Sequence, residues 1–207
     1  HGFKFTLPTL QYAIRRLEFD AWLQSYGDIQ TIQHTVEAIQ ETQDSYQIDN
    51  QFQSKFLVGA AGTHCPVRRT FFDRSSSTRT KGLIIAKEEE FAYPIKDNRC
   101  HLWFFEDGLP GYAWYVPKDG GFLNVGIGGS AVGIKKKGKT LNTYWHRYLA
   151  KLDALGLVSG HTFNPKGYSY YLRKNSSQLR QGNAFLVGDS LGLATRDLGE
   201  GIGPAIL

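Results

Sequence analysis

The 207-residue chain contains no methionine, only 2 cysteines and only 7 prolines. Cys65 and Cys100 form neither a CxxC pair nor a dense framework, which excludes a disulfide scaffold and a zinc ribbon. A reducing, cytoplasmic setting is therefore expected. No apolar run approaches the ~20 residues of a membrane-spanning helix, and no basic-then-apolar leader opens the chain. His34, His64, His101, His146 and His161 show no metal-ligand spacing, and no Ser-His-Asp arrangement is evident. Internal repeats and low-complexity tracts are lacking too. With 41% hydrophobic and 14% aromatic residues, the composition is that of a globular protein and not a disordered one. A chain that starts at His1 without methionine is expected to be processed or part of a longer protein.

What is present is basic and unevenly spread. Lys and Arg number 24 against 19 Asp and Glu, a net charge of +5. Lys135, Lys136, Lys137 and Lys139 crowd the stretch GIKKKGK, and Arg68, Arg69, Arg74 and Arg79 crowd another. Such clusters suit nucleic acid, anionic lipid or a phosphate-bearing ligand, or else form a solvated hairpin loop.

Apolar periodicity predicts a helix over RRLEFDAWLQSYG, stopped at Gly27, with Leu17, Phe19, Trp22, Leu23 and Tyr26 at helical spacing. IQTIQHTVEAIQE and SYQIDN read as two short strands. FLVGAAG reads as a buried parallel strand entering a glycine turn. GLIIAKEEEFAYPI, RCHLWFFED, GYAWYVPK and GFLNVGIGG read as an antiparallel sheet lined with rings. Within it, GIGGSAVG reads as a hairpin edge. A second helix, LNTYWHRYLAKLDALG, carries one apolar stripe and a Gly156 cap, and GYSYYLR is a further strand. The order of elements predicts an interleaved α/β protein whose first and last thirds share one layer, with the middle sheet inserted between them.

The segment FLVGDSLGLATRDLGEGIG carries the strongest chemical signal. A strand delivers Gly188 and Asp189 to a turn, and Gly199-Glu200-Gly201 opens a helix. A carboxylate at a strand end suits ligand hydroxyls, and a glycine-bearing helix start exposes unpaired N–H groups. The alternative is a helix cap at Asp189 and ordinary glycine turns.

This segment resembles the second flavin-binding motif of the FAD-dependent oxidoreductases that include p-hydroxybenzoate hydroxylase and the geranylgeranyl reductases. The resemblance implies an α/β (α+β) fold: part of a p-hydroxybenzoate hydroxylase-like FAD-binding domain, residues 1–75 and 182–207. An antiparallel-sheet substrate domain, 76–181, is inserted into it. By position, Asp189 would bind the ribityl chain, and the Gly201–Ile202 backbone would face the isoalloxazine, with Gly188, Gly199 and Glu200 shaping the site. YAIRRLEFDAWL is similar to the helix whose arginine reaches FAD, which matches Arg16, although Arg15 is equally cationic. FLVGAAGTHCPVRR resembles a strand-turn-helix in which Ala61 replaces the usual aspartate, and Cys65 follows as a residue near the flavin or a small core residue. Many relatives place a proline near Arg196, and this chain does not.

PGYAWYVPK followed by FLNVGIGG is similar to a geranylgeranyl reductase segment, with Tyr112, Trp114, Pro117 and Lys118 matching and Val116 in place of phenylalanine. Tyr112, Trp114 and Pro117 are thus the expected substrate pocket. The implied activity is reduction of C=C bonds in an apolar, isoprenoid-like or conjugated substrate, with FAD as cofactor and NAD(P)H or another electron donor. The implied partners are that small substrate and a membrane surface favoured by the basic patches, with no nucleic acid. A flavin-dependent monooxygenase or halogenase on the same scaffold is one alternative, since halogenases carry a related GWxWxIP string. A non-catalytic basic module for lipid or nucleic acid is another. The family's initial GxGxxG segment is not found before Arg16, so the adenosine half of the site is missing and the chain alone is expected to hold FAD weakly or not at all.

Overall fold

Helix α1, Arg16–Ser25, forms where the 3.6-residue spacing of Leu17, Trp22 and Leu23 places it. The computed structural model describes residues 3–10, 12–27, 29–72, 82–174 and 178–206. Arg74 and Arg79, and the expected domain division at 75/76, lie outside these. No residue of α1 is buried, so the periodicity located the helix but not a packed face. Its anchor is Arg15, the residue before it. The Arg15 guanidinium lies 3.5 Å from the Phe122 ring centroid, donates to Glu90 at 3.0 Å and donates to Glu18 at 3.0 Å.

Three short strands follow: β1 (Ile39–Glu41), β2 (Tyr46–Ile48) and β3 (Phe52–Ser54), paired antiparallel in that order. The strand expected from Ile29 onward is confined to β1. The Asp49 carboxylate accepts the Ala38 N–H at 2.6 Å, the Glu37 N–H at 3.1 Å and the His34 ring at 2.7 Å. A side chain, rather than a neighbouring strand, thus satisfies the backbone before β1. β3 was not anticipated. Asp49 and Asn50 have φ of 49° and 56°, the left-handed pair in the three-residue turn 49–51 that joins β2 to β3.

β4 (Leu57–Gly59) leads into a tight turn at Gly62–His64, and a short helical stretch at Arg68–Phe72 follows. Next come the long strands β5 (Leu83–Ala92), β6 (His101–Phe104), β7 (Gly111–Lys118) and β8 (Phe122–Ser130). Ser130 caps helix α2 (Ala131–Lys136) by accepting the Gly133 N–H at 3.2 Å, and helix α3 (Leu141–Ala154) follows. β9 (Lys166–Tyr171) completes a five-stranded sheet in the order β6-β7-β8-β5-β9, antiparallel throughout.

Two expectations need correction here. The GIGG segment is no hairpin edge: it lies inside β8, between β5 and β7, because it is flanked on both sides by strands long enough to pair with it. The lysine cluster is no hairpin loop either. Lys135 and Lys136 end α2, where cations complement the helix dipole, and Lys139 lies 5.1 Å from the Tyr144 ring.

Tyr144, Trp145, Tyr148 and Leu152 of α3 pack on Ala113, Tyr115, Leu123, Val125 and Ile127 of the sheet. The fully buried Leu152 alone contributes about 2 kcal/mol by removal from water. A second core joins Tyr46, Leu57, Cys65, Val67, Phe71, Ala184 and Leu186. It is built on the strands β10 (Arg180–Gln181) and β11 (Ala184–Leu186), with β11 parallel to β4. A strand from the first third and one from the last third thus pair, as the element order predicts. Helix α4 (Ile202–Ile206) closes the described chain. No helix among the described residues is long and apolar enough to cross a membrane.

Candidate functional site

Strand alternation gives the five-stranded sheet two faces, and α3 covers one. The other is lined by rings, and glycine decides how they lie. Register places Trp114 opposite Gly126 and Tyr112 opposite Gly128. A methyl group at Gly126 would overlap Cζ2 and Cε2 of Trp114, and one at Gly128 would lie 3.5 Å from its Cζ3. The indole therefore lies flat on the glycine backbone, 9% exposed, with Nε1–H donating to Asn124 Oδ1 at 2.7 Å. The YAW and NVGIGG segments are one device: the second is the floor of the first. Tyr112 lies 5.6 Å from Trp114 between ring centroids, and Tyr168 stacks on Tyr170 at 6.1 Å. Pro117 does not join them. It pairs with Leu123 on the α3-covered face, since it stands an odd number of residues from Trp114.

β11 delivers the chain to the turn Gly188–Ser190, where Gly188 adopts φ 56°. The fully buried Ser190 hydroxyl donates to the Gly62 carbonyl at 3.1 Å, and the Thr63 hydroxyl donates to the Ser169 carbonyl on β9. These bonds fasten two turns and the β9 edge around a cleft of about 630 Å³, lined by Ala61, Thr63, His64, Ala86, Tyr168 and Asp189. That volume is within the range of small-molecule sites. Burial raises the Asp189 pKa, and the positive charge of Arg16 opposes the rise. Arg16 itself is paired to Asp20 of the same helix at 3.1 Å and is largely exposed.

The Gly199–Gly201 stretch reaches Asp189 and the ring face. A methyl at Gly201 would lie 3.1 Å from Asp189 Oδ1, so the missing side chain leaves the carboxylate against backbone. Gly199 has φ 68°, and a methyl there would overlap the Tyr170 hydroxyl. The Tyr112 hydroxyl donates to the Leu198 carbonyl. This loop is therefore docked on the ring face, and burial raises the pKa values of Tyr112 and Tyr170. Glu200 does something else: its Oε1 accepts the Gly203 N–H at 2.8 Å and caps α4. Ile202 is the first residue of that helix.

Several residues were not singled out in the sequence. Thr63 and Ser190 act as the clamps just described, and no spacing pattern marks them. Glu88 and Glu90 share the ring face on β5. Lys118 at 2.7 Å and Arg15 at 3.0 Å neutralise Glu90 and lower its pKa. Burial raises that of Glu88. The run of three glutamates in a strand was the available signal, since alternation puts Glu88 and Glu90 on one face and Glu89 on the other. Cys65 is a core residue, fully buried beside Gly59. His34, His101 and His161 are each paired to a carboxylate, and no metal cluster exists among the described residues.

No protein-family profile and no curated protein sequence matches the chain. Solved structures do match its fold. A geranylgeranyl bacteriochlorophyll reductase-like protein from Thermoplasma acidophilum aligns at TM-score 0.64 and 21% identity, over 83% of this chain and 45% of its own. The flavin-dependent halogenase CmlS aligns at TM-score 0.62 and 17% identity, over 93% of this chain and 38% of its own. PqsL from Pseudomonas aeruginosa, a probable FAD-dependent monooxygenase, aligns at TM-score 0.53 and 20% identity, over 83% of this chain and 50% of its own. The chain thus has the mixed p-hydroxybenzoate hydroxylase-like fold of these enzymes and spans half or less of their length.

Proposed function

We propose that the chain carries the ring-side half of an FAD site and the substrate face of a flavin-dependent oxidoreductase. One observation carries this reading: Asp189, set against the bare Gly201 backbone, lines one cleft with Tyr168 of the ring-lined sheet face, some 20 residues distant in the chain. The residues fit the cofactor. Asp189 is a hydrogen-bond acceptor at a strand end, and the bare Gly201 backbone beside it leaves room for close approach. In this reading Asp189 holds the ribityl hydroxyls, Arg16 supplies a compensating positive charge, and the Gly201–Ile202 backbone faces the isoalloxazine edge. FAD, when bound, supplies two-electron hydride chemistry. Trp114 and the tyrosines of the sheet exclude water and present an aromatic wall to the substrate, which suits reduction of a C=C bond in an apolar, conjugated or isoprenoid-like molecule.

A monooxygenase or halogenase on the same scaffold is the second reading, favoured by the alignment with CmlS over 93% of the chain. Full-length protein separates the two. The first reading expects bound flavin and NAD(P)H-driven reduction of an isoprenoid alkene without oxygen consumption. Oxygen uptake coupled to hydroxylation or halogenation assigns the second. Flavin-free full-length protein rejects both and leaves a basic binding module.

A further inference from the structure

A further apolar surface lies away from the Asp189 cleft, at the outer edge of the five-stranded sheet, where β6 is the last strand. Its Leu102 and Phe104, two residues apart and so on one face, are exposed, as is Phe105 in the turn that follows. Phe104 lies 5.3 Å from Tyr112 between ring centroids, so this patch continues the ring face outward. Phe105 is 72% exposed at φ 56°, a left-handed conformation that bulky residues rarely adopt. Neither burial nor backbone preference accounts for a phenylalanine there. Strain of this kind clusters at functional positions, and here it holds an apolar ring out in solvent.

The same turn meets the lysine cluster. The Phe105 carbonyl accepts the Gly108 N–H at 3.1 Å, which closes the turn, and a methyl at Gly108 would lie 3.3 Å from Lys137 Nζ. Pro110, where the turn ends, packs on α2: a methyl at Gly133 would lie 2.8 Å from its Cβ. Lys135, Lys136 and Lys137 are thus carried beside the exposed rings, and all three are themselves exposed. The acids of the turn are Glu106, already paired with Lys151, and Asp107, so positive charge is in excess. We propose that the Leu102–Phe104–Phe105 patch and the adjoining Lys135–Lys137 run form a docking surface for a bilayer containing anionic lipid. The rings enter the headgroup layer and the lysines meet the lipid phosphates, the two contributions that together hold a peripheral protein at a membrane. Leucine and phenylalanine side chains have no hydrogen-bonding group, which suits acyl chains rather than the edges of nucleic-acid bases. The surface goes beyond the flavoenzyme reading and does not depend on bound flavin.

The test is co-sedimentation of the full-length protein with vesicles of phosphatidylcholine alone and with one-third phosphatidylglycerol. The expected result is binding about tenfold or more tighter to the anionic vesicles, a preference that shrinks as salt rises. Combining Lys135→Gln, Lys136→Gln and Lys137→Gln abolishes that preference. Phe105→Asn removes the ring while suiting the left-handed backbone, so the fold is kept. It weakens binding to both kinds of vesicle about tenfold, the worth of one ring withdrawn from water, and leaves the salt dependence intact. Circular dichroism and melting curves confirm that each variant is folded. Equal affinity for the two kinds of vesicle, no binding to either, an undiminished preference in the lysine variant or unchanged binding by folded Phe105→Asn overturns the proposal. Binding of a single-stranded oligonucleotide that these substitutions abolish, without binding to vesicles, also overturns it and assigns the surface to nucleic acid.

Discussion

Glu88 and Glu90 show how much the setting of a residue outweighs its type. A carboxyl whose pKa is raised on folding contributes most to stability while protonated, and loses that contribution as pH rises through the raised value. Burial is the largest influence on Glu88 and raises its pKa. Its ionised form therefore costs stability at neutral pH. Glu88→Gln is expected to be more thermally stable than wild type at neutral pH, with the gap closing below about pH 4, the ordinary glutamate range. Parallel melting curves across pH check this, and a gap independent of pH would contradict it. Glu90 follows the opposite sign. Its lowered pKa gives stability above the ordinary range that fades on acidification, so Glu90→Gln loses stability at neutral pH by leaving Lys118 and Arg15 without their shared partner.

At the level of elements, the account depends on how β8 supports β7. Gly126→Ala places a methyl where the Trp114 indole lies, so the ring must lift from the sheet. Overpacking of this kind costs about 1–3 kcal/mol. Lower thermal stability and altered tryptophan fluorescence are expected together; a wild-type spectrum would show that the ring never lay there. On the opposite face Leu152→Ala is expected to cost about 2–5 kcal/mol, read as a lowered unfolding midpoint. Most of these elements were legible in the sequence. β5 to β9 and α3 announce themselves through alternating rings, turn residues and a 3.6-residue stripe. β3 was not, because its only mark is the Asp49-Asn50 pair, and the stretch 29–38 mimics a strand until Asp49 takes up its backbone donors. Pro117 was misplaced through reading a motif as a unit where period two divides it between faces.

For the whole molecule, the parallel pairing of β4 with β11 brings together turns some 125 residues apart in the chain, and the site follows from that closure. Asp189 and Gly201 were legible because a strand-turn-helix pattern of small residues is compact in sequence. Glu88, Thr63 and Ser190 were not, since their roles depend on what closure sets beside them. The central claim is that the Asp189 turn holds a flavin. The most direct measurement is the FAD content of purified full-length protein alongside Asp189→Ala, with circular dichroism confirming that both are folded. The account predicts yellow wild-type protein and at least a tenfold weaker FAD affinity in the variant, about the worth of charge-assisted hydrogen bonds to ligand hydroxyls. Wild-type protein that binds no FAD, or a folded Asp189→Ala that binds it unchanged, would contradict it.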